Sequence, residues 1–206
     1  MMSIFPRDDV SSCQCTTRMP IRAKLTRGPA KAAYLEVFKY NGGADENDEL
    51  QELIEPDGRK VKRRVISVNH GAIEVRRAMM QFVPTGVSMK YYIKLTIQGP
   101  NIPSIMMIDL PGMVNDPTGT EPTDIGTDSV AITDAYIEKY KDKAIFLAVV
   151  SCYPQINRDP VLSLIRNKKI EVYFFHLYFL IQDIWKLIIS FYFFHAAKHF
   201  NGDYNV

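Results

Sequence analysis

Cysteine is scarce in this chain of 206 residues, which carries three. Cys13, Cys15 and Cys152 cannot close an even disulfide framework, and so few thiols point to a reducing compartment. A dominant sign of charge is missing too. Lys and Arg number 25 against 23 Asp and Glu, a formal net charge of +2, too mild to specify a nucleic acid or an acidic surface as partner. The stretch from Met1 to Asp9 lacks a basic-then-apolar leader, and the residues after it lack an Arg- and Ser-rich amphipathic pattern. Cys13-Gln14-Cys15 has no second thiol pair or His at ligand spacing, so it reads as a reduced loop, and Cys152 as a small apolar residue.

A composition of 47% hydrophobic and 23% charged residues excludes disordered, collagen-like and coiled-coil classes, and the length suits one ordinary domain. Residues 21 to 26 alternate apolar and polar, the pattern of a half-buried strand. After the Gly28-Pro29 break, Ala33 to Tyr40 supplies a second extended stretch, closed by Asn41-Gly42-Gly43. An acidic run between Asp45 and Asp57 precedes a basic run between Arg59 and Arg64. It reads as a solvated excursion at about 41–66, helical with opposite charges on successive turns. Residues 72 to 83 form a short helix ended by Pro84. Tyr92 to Gln98 is the cleanest strand, with Ile93, Leu95 and Ile97 on one side and Lys94, Thr96 and Gln98 on the other. Ser104 to Ile108 reads as a strand buried on both faces. Asp128 to Lys141 is a helix with Val130, Thr133, Tyr136, Ile137 and Tyr140 on one face, and Ala144 to Val150 is strand again. Strand, loop, helix and strand at that spacing predict a βαβ crossover in a parallel sheet.

The strand ending at Ile108 runs into Asp109-Leu110-Pro111-Gly112. Open α/β sheets bind ligands at such carboxyl ends. Asp109 can hold a Mg²⁺-bound water, and Gly112 lets the backbone approach a phosphate. On these four residues alone, a strand-terminal Asp before a Pro-Gly turn is the simpler reading.

The neighbouring residues alter that weighing. Ile4-Phe5-Pro6-Arg7, Thr17-Arg18-Met19-Pro20, Leu95-Thr96-Ile97-Gln98-Gly99-Pro100 and Ile108-Asp109-Leu110-Pro111-Gly112, in this order, resemble the GTPase domain of the dynamin superfamily. Within it they look most like the mitochondrial inner-membrane fusion dynamins of the optic-atrophy protein type. The likeness runs from about residue 4 to 165. It implies an α/β, P-loop GTPase-like domain with a mixed, mostly parallel sheet and flanking helices, binding GTP with Mg²⁺. By resemblance Thr17 is the first-switch threonine, ligating Mg²⁺ and positioning the attacking water. Asp109 touches Mg²⁺ through water, and the Gly112 N–H senses the γ-phosphate. Asp124 and Lys141 to Val149 fall where the family has its second switch and next strand. The resemblance further implies a mitochondrial inner-membrane or intermembrane-space setting in membrane fusion. Lipid and self-assembly contacts would come through regions outside this chain, with no nucleic-acid partner.

The chain departs from that pattern at defined places. It contains no G-x-x-x-x-G-K-[ST], the motif whose backbone cradles phosphates and whose Ser/Thr holds Mg²⁺. Asp8-Asp9-Val10-Ser11-Ser12 replaces a Gly-Ser-Gly, and the guanine-reading Thr-Lys-x-Asp is missing. Asn167-Lys168-Lys169-Ile170 has Ile where a base-reading carboxylate belongs. The expectation is therefore a partial domain over 1–165, lacking its first strand and P-loop, open at an apolar edge and inactive in hydrolysis alone. The alternative is a non-catalytic interaction or membrane-associated protein that retains the sheet. Residues 166–206 differ in kind: twelve aromatic residues and three of the four histidines lie beyond Ile170. Ile170 to His195 is apolar enough to suggest a membrane span, yet Gln182, Asp183 and Lys186 interrupt it. We read this tail as not part of the fold, with a membrane segment as the second reading.

Overall fold

A computed structural model describes residues 17–42, 47–67, 70–113, 122–148, 160–168 and 172–173. Strands β1 (Ile21–Arg27), β2 (Ala32–Lys39), β7 (Tyr91–Gly99) and β8 (Ile105–Asp109) carry the main sheet. The short β3 (Glu49–Leu50) and β6 (Arg64–Val65) both pair with β2, and the order is β3-β2-β7-β1-β8. Two short connections set strand directions but not strand neighbours. β1 and β2 are joined through Gly28 to Lys31, and β7 and β8 through Pro100 to Ser104, so each pair runs antiparallel. Each pair is nevertheless split by a strand of the other: β7 lies between β1 and β2, and β1 between β7 and β8.

The sheet is mixed, as expected, and the structure revises the balance of directions. β1 and β7 are parallel, with Ile21 opposite Ile93 and Leu25 opposite Ile97. The other pairs in this sheet are antiparallel. The crossover expected from β8 through a helix to Ala144–Val150 is not formed among the described residues. There β9 (Phe146–Leu147) pairs instead, in parallel, with β10 (Val172–Tyr173).

The period-2 pattern sorts the two faces. Ile21, Ala23, Leu35, Val37, Ile93 and Leu95 point to one side, where α1 (Gly71–Phe82) covers them with Val75, Ala78 and Met79. These helix positions recur at the spacing of one face, and the helix stops at the residues before Pro84. Helix α2 (Ile125–Tyr140) lies on the opposite face. Its buried side is Ile125, Ser129, Ile132, Tyr136 and Ile137, about one position away from the expected one. Ile132 joins Val87, Ile125 and Tyr136 in a second cluster against Ile108 and Leu110. Helix α3 (Pro160–Lys168) is tied to α2 by Lys168, 2.7 Å from Asp134 and 3.0 Å from Glu138.

Three further expectations are corrected. Among the described residues the charged excursion forms no α-helix. Its opposite charges meet across the hairpin of β4 (Leu53–Ile54) and β5 (Lys60–Val61), with Lys60 3.3 Å from Glu52. Arg64 goes further: it is buried and donates to Glu55 at 2.7 Å and Glu74 at 2.9 Å, pinning the hairpin to α1. Second, β8 is not buried on both faces. It ends the sheet order, and Ile105, Met106 and Met107 are 49%, 59% and 37% exposed. Third, Arg22, placed by alternation on a wet face, is buried under α2. Among the described residues no helix is long and apolar enough to cross a membrane. The readings placed on Ile4–Arg7, Cys13–Cys15, Cys152 and Phe174 onward lie outside the described residues.

Candidate functional site

The antiparallel pairing of β1 with β8 sets Ile21 opposite Asp109. The chain entering β1 and the chain leaving β8 therefore meet at one end of the sheet. Met19 and Pro20 are buried there, and the Ile93 N–H donates to the Pro20 carbonyl at 2.9 Å, extending the parallel ladder past the strand. This seats Thr17 just beyond the end of β8. Its Oγ1 donates to Asp109 Oδ2 at 3.2 Å, a contact between positions 92 apart in the chain.

Gly112 follows three residues after Asp109 and is exposed. A Cβ there would meet no protein atom within 4 Å, and its φ is not positive. Nothing in the described fold requires glycine at this position, which leaves its bare backbone open to an outside group. The structure thus brings Thr17 and Asp109 into contact, with Gly112 three residues further along the loop that leaves β8. Both contacting groups offer hard oxygen atoms, a hydroxyl and a carboxylate. That chemistry suits Mg²⁺, which in phosphate sites takes one or two protein ligands and fills the rest with phosphate and water. Among the described residues no group of three or more His, Cys, Asp or Glu could hold a metal by itself.

Two neighbours escaped sequence reasoning. Arg18 sits in the quoted Thr-Arg-x-Pro stretch, yet nothing in the sequence assigns it a partner. In the structure its Nη1 donates to the carbonyl oxygens of Val83, at 3.5 Å, and Pro84. Arg22 reaches the opposite helix: its guanidinium carbon stacks 3.8 Å from the Tyr92 ring centre, and Nη2 donates to Tyr136 Oη at 3.3 Å. The signal was a charge in mid-strand between residues whose neighbours are apolar, readable only once α2 is known to lie above it. Burial pushes the Tyr136 phenol above its usual range despite the pull of Arg22, so a neutral hydroxyl accepts from a charged guanidinium. Lys168 of the Asn-Lys-x-Ile run forms ion pairs with Asp134 and Glu138 of α2.

Comparison with known proteins gives the context for this pairing. The model of the Dynamin family matches residues 4–172. The chain is 30% identical over 149 residues to the interferon-induced GTP-binding protein Mx2 of Canis lupus familiaris, covering 72% of this chain and 18% of that protein. It is 32% identical over 107 residues to the Mx2 protein of Sus scrofa, covering 52% of this chain and 15% of that one. A third relative, the Mx2 protein of Bos taurus, is 33% identical over 92 residues, covering 44% and 13%. The chain thus spans less than a fifth of the length of these relatives, and within that span it belongs to the dynamin family.

Proposed function

We propose that this chain forms the metal- and γ-phosphate-facing side of a GTP site in a dynamin-type domain. The observation that carries the reading is the hydrogen bond from Thr17 to Asp109. It joins the two residues to which the sequence resemblance assigns metal contacts. The relatives are GTP-binding proteins by name, which supports GTP as the nucleotide.

Thr17 would hold Mg²⁺ by its hydroxyl, Asp109 through a bound water, and the Gly112 N–H would face the γ-phosphate. Bound there, Mg²⁺ supplies the positive charge that offsets charge on the phosphate oxygens during transfer. The contribution of the chain is orientation. The Thr17 hydroxyl can donate to Asp109 while a lone pair of the same oxygen faces the metal, and the buried Met19-Pro20 pair keeps the hydroxyl at the strand end. The phosphate cradle and the base reader are not encoded in these 206 residues, so hydrolysis requires them from other polypeptide. The setting we infer is membrane remodelling of the mitochondrial inner-membrane fusion type, with lipid and self-assembly contacts outside this chain. Support for that finer placement is the sequence likeness of residues 4–20 and 95–112, and organelle imaging of the tagged protein tests it.

The biochemical test uses the chain joined to a P-loop strand and helix and a guanine-reading loop from a dynamin-family relative. This hybrid should hydrolyse GTP. Thr17→Ala should remove most turnover, on the order of 100-fold, while Thr17→Ser, which keeps the oxygen, should retain much of it. Equal turnover in all three would remove Thr17 from the site.

A further inference from the structure

The loop 83–90 joins α1 to β7, and it grips two other segments on opposite sides. On one side it holds the residue after Thr17: Arg18 Nη1 donates to the carbonyls of Val83 and Pro84, and the Ser88 N–H donates back to the Arg18 carbonyl at 2.9 Å. Side chain and backbone of one residue are thus both fastened to one loop. On the other side it holds the start of α2. Val87 is buried in the cluster of Ile125, Ile132 and Tyr136. Gly86, at φ +63°, slides its backbone under Pro122, where a Cβ would lie 3.2 Å from Pro122 Cγ. Pro122 in turn accepts from the Ile125 N–H at 3.2 Å, inside the first turn leading to the helix. Within the loop, Ser88 Oγ accepts from the Lys90 N–H at 3.1 Å and closes the turn between the two grips.

We propose that the loop 83–90 is a brace that couples the Thr17 segment to the start of α2, with Arg18 and Val87 as positioning residues. The two segments it joins flank Thr17 and Asp109, so the functional meaning of the brace rests on the nucleotide-site reading above, whereas the linkage itself does not. The directional part is the Arg18 guanidinium, which reaches two successive carbonyls at the end of α1 and cannot shift along the chain without losing one of them. The other end is an apolar plug. Close-packed contacts resist small continuous displacements, so a movement of Arg18 is passed to Val87 rather than absorbed. A displacement of the Thr17 segment by an incoming ligand would by this route reach the first turn of α2.

Hydrogen exchange of the full chain, without nucleotide, tests the linkage directly, and failure to bind GTP is then a separate result. Val87→Ala should speed exchange of the Arg18 and Met19 amides about threefold or more. Arg18→Ala should do the same to the amides of Asp124 to Asp128. The double variant should exceed neither single by more than experimental error, and Arg18→Lys, which keeps a donor, should restore most of the protection. Amides of β2 and of residues 71–79 report that the fold is retained. Should Arg18→Ala expose these as well, Arg18→Gln takes its place with the same two outcomes. Effects confined to the mutated side, adding in the double variant, would overturn the proposal.

Discussion

Arg22 shows how one side chain can tie a helix to a sheet through an aromatic ring and a hydroxyl. It is 6% exposed, lies against the Tyr92 face and donates to Tyr136, so its charge is balanced by ring electrons and a hydroxyl. Arg22→Ala should lower stability by about 2 kcal/mol or more, through lost packing and an unmatched Tyr136 hydroxyl. Arg22→Lys should recover only part, since an ammonium lacks the flat stacking surface. Urea unfolding of the three proteins checks this order. A pH dependence follows from the same contact. Burial raises the Tyr136 phenol above its ordinary 10.0, so the unfolded chain loses this proton first and binds fewer protons than the native state. Stability from Tyr136 is therefore full below about pH 10 and falls as pH rises through the raised value. Unfolding midpoints compared at about pH 9 and pH 11 should drop more in the parent than in Tyr136→Phe. An equal drop in both would place the sensitivity elsewhere.

At the scale of elements, the alternation of β7 and the spacing of α1 were legible because each has one wet and one dry side. Ile93, Leu95 and Ile97 face α1, and the polar residues between them face away. β8 misled for a physical reason: a continuous apolar run signals burial on both faces only when strands flank it on both sides. Here β1 lies on one side, and among the described residues no strand lies on the other. Leu147 of β9 and Ile145 before it are 60% and 79% exposed, which again sets an apolar strand in contact with water. Such an edge invites pairing with another chain. Met106→Lys should reduce self-association in light scattering and leave the melting temperature within a few degrees, because Met106 contributes little to the core. A Met106→Lys protein that associates as strongly as the parent would show that β8 is not the sticky edge. The charged excursion was legible as an excursion but not in shape. Runs of opposite sign suggested a helix, whereas pairing across a hairpin satisfies them better. Arg64 is the part of it that matters for stability, since it pairs with Glu55 and shares Glu74 with Arg77. Arg64→Ala should cost about 3 kcal/mol by leaving the largely buried Glu55 without its cation and Glu74 with Arg77 alone, read in the same urea experiment. A loss under about 1 kcal/mol would mean that water reaches them.

For the whole molecule, the sequence named candidate residues and said nothing of their contacts. Thr17 and Asp109 were singled out by motif; that they touch depends on β1 running antiparallel beside β8, which no local pattern reveals. Arg18 and the loop 83–90 went unread for the same reason. The family match over 4–172 covers the motifs read from the sequence, and the proposed nucleotide site carries a prediction for the chain by itself. Calorimetric titration of the 206-residue chain with GTP and Mg²⁺ should show no micromolar, guanine-selective binding. Such binding would mean that other residues replace the cradle and the base reader. The decisive residue is Asp109, because a turn residue and a metal-facing carboxylate differ in what their loss does. In the completed hybrid domain, turnover and melting temperature measured together on Asp109→Ala should show kcat down on the order of 100-fold with the fold intact. Undiminished turnover in a folded Asp109→Ala protein would contradict the assignment of this strand end to the nucleotide.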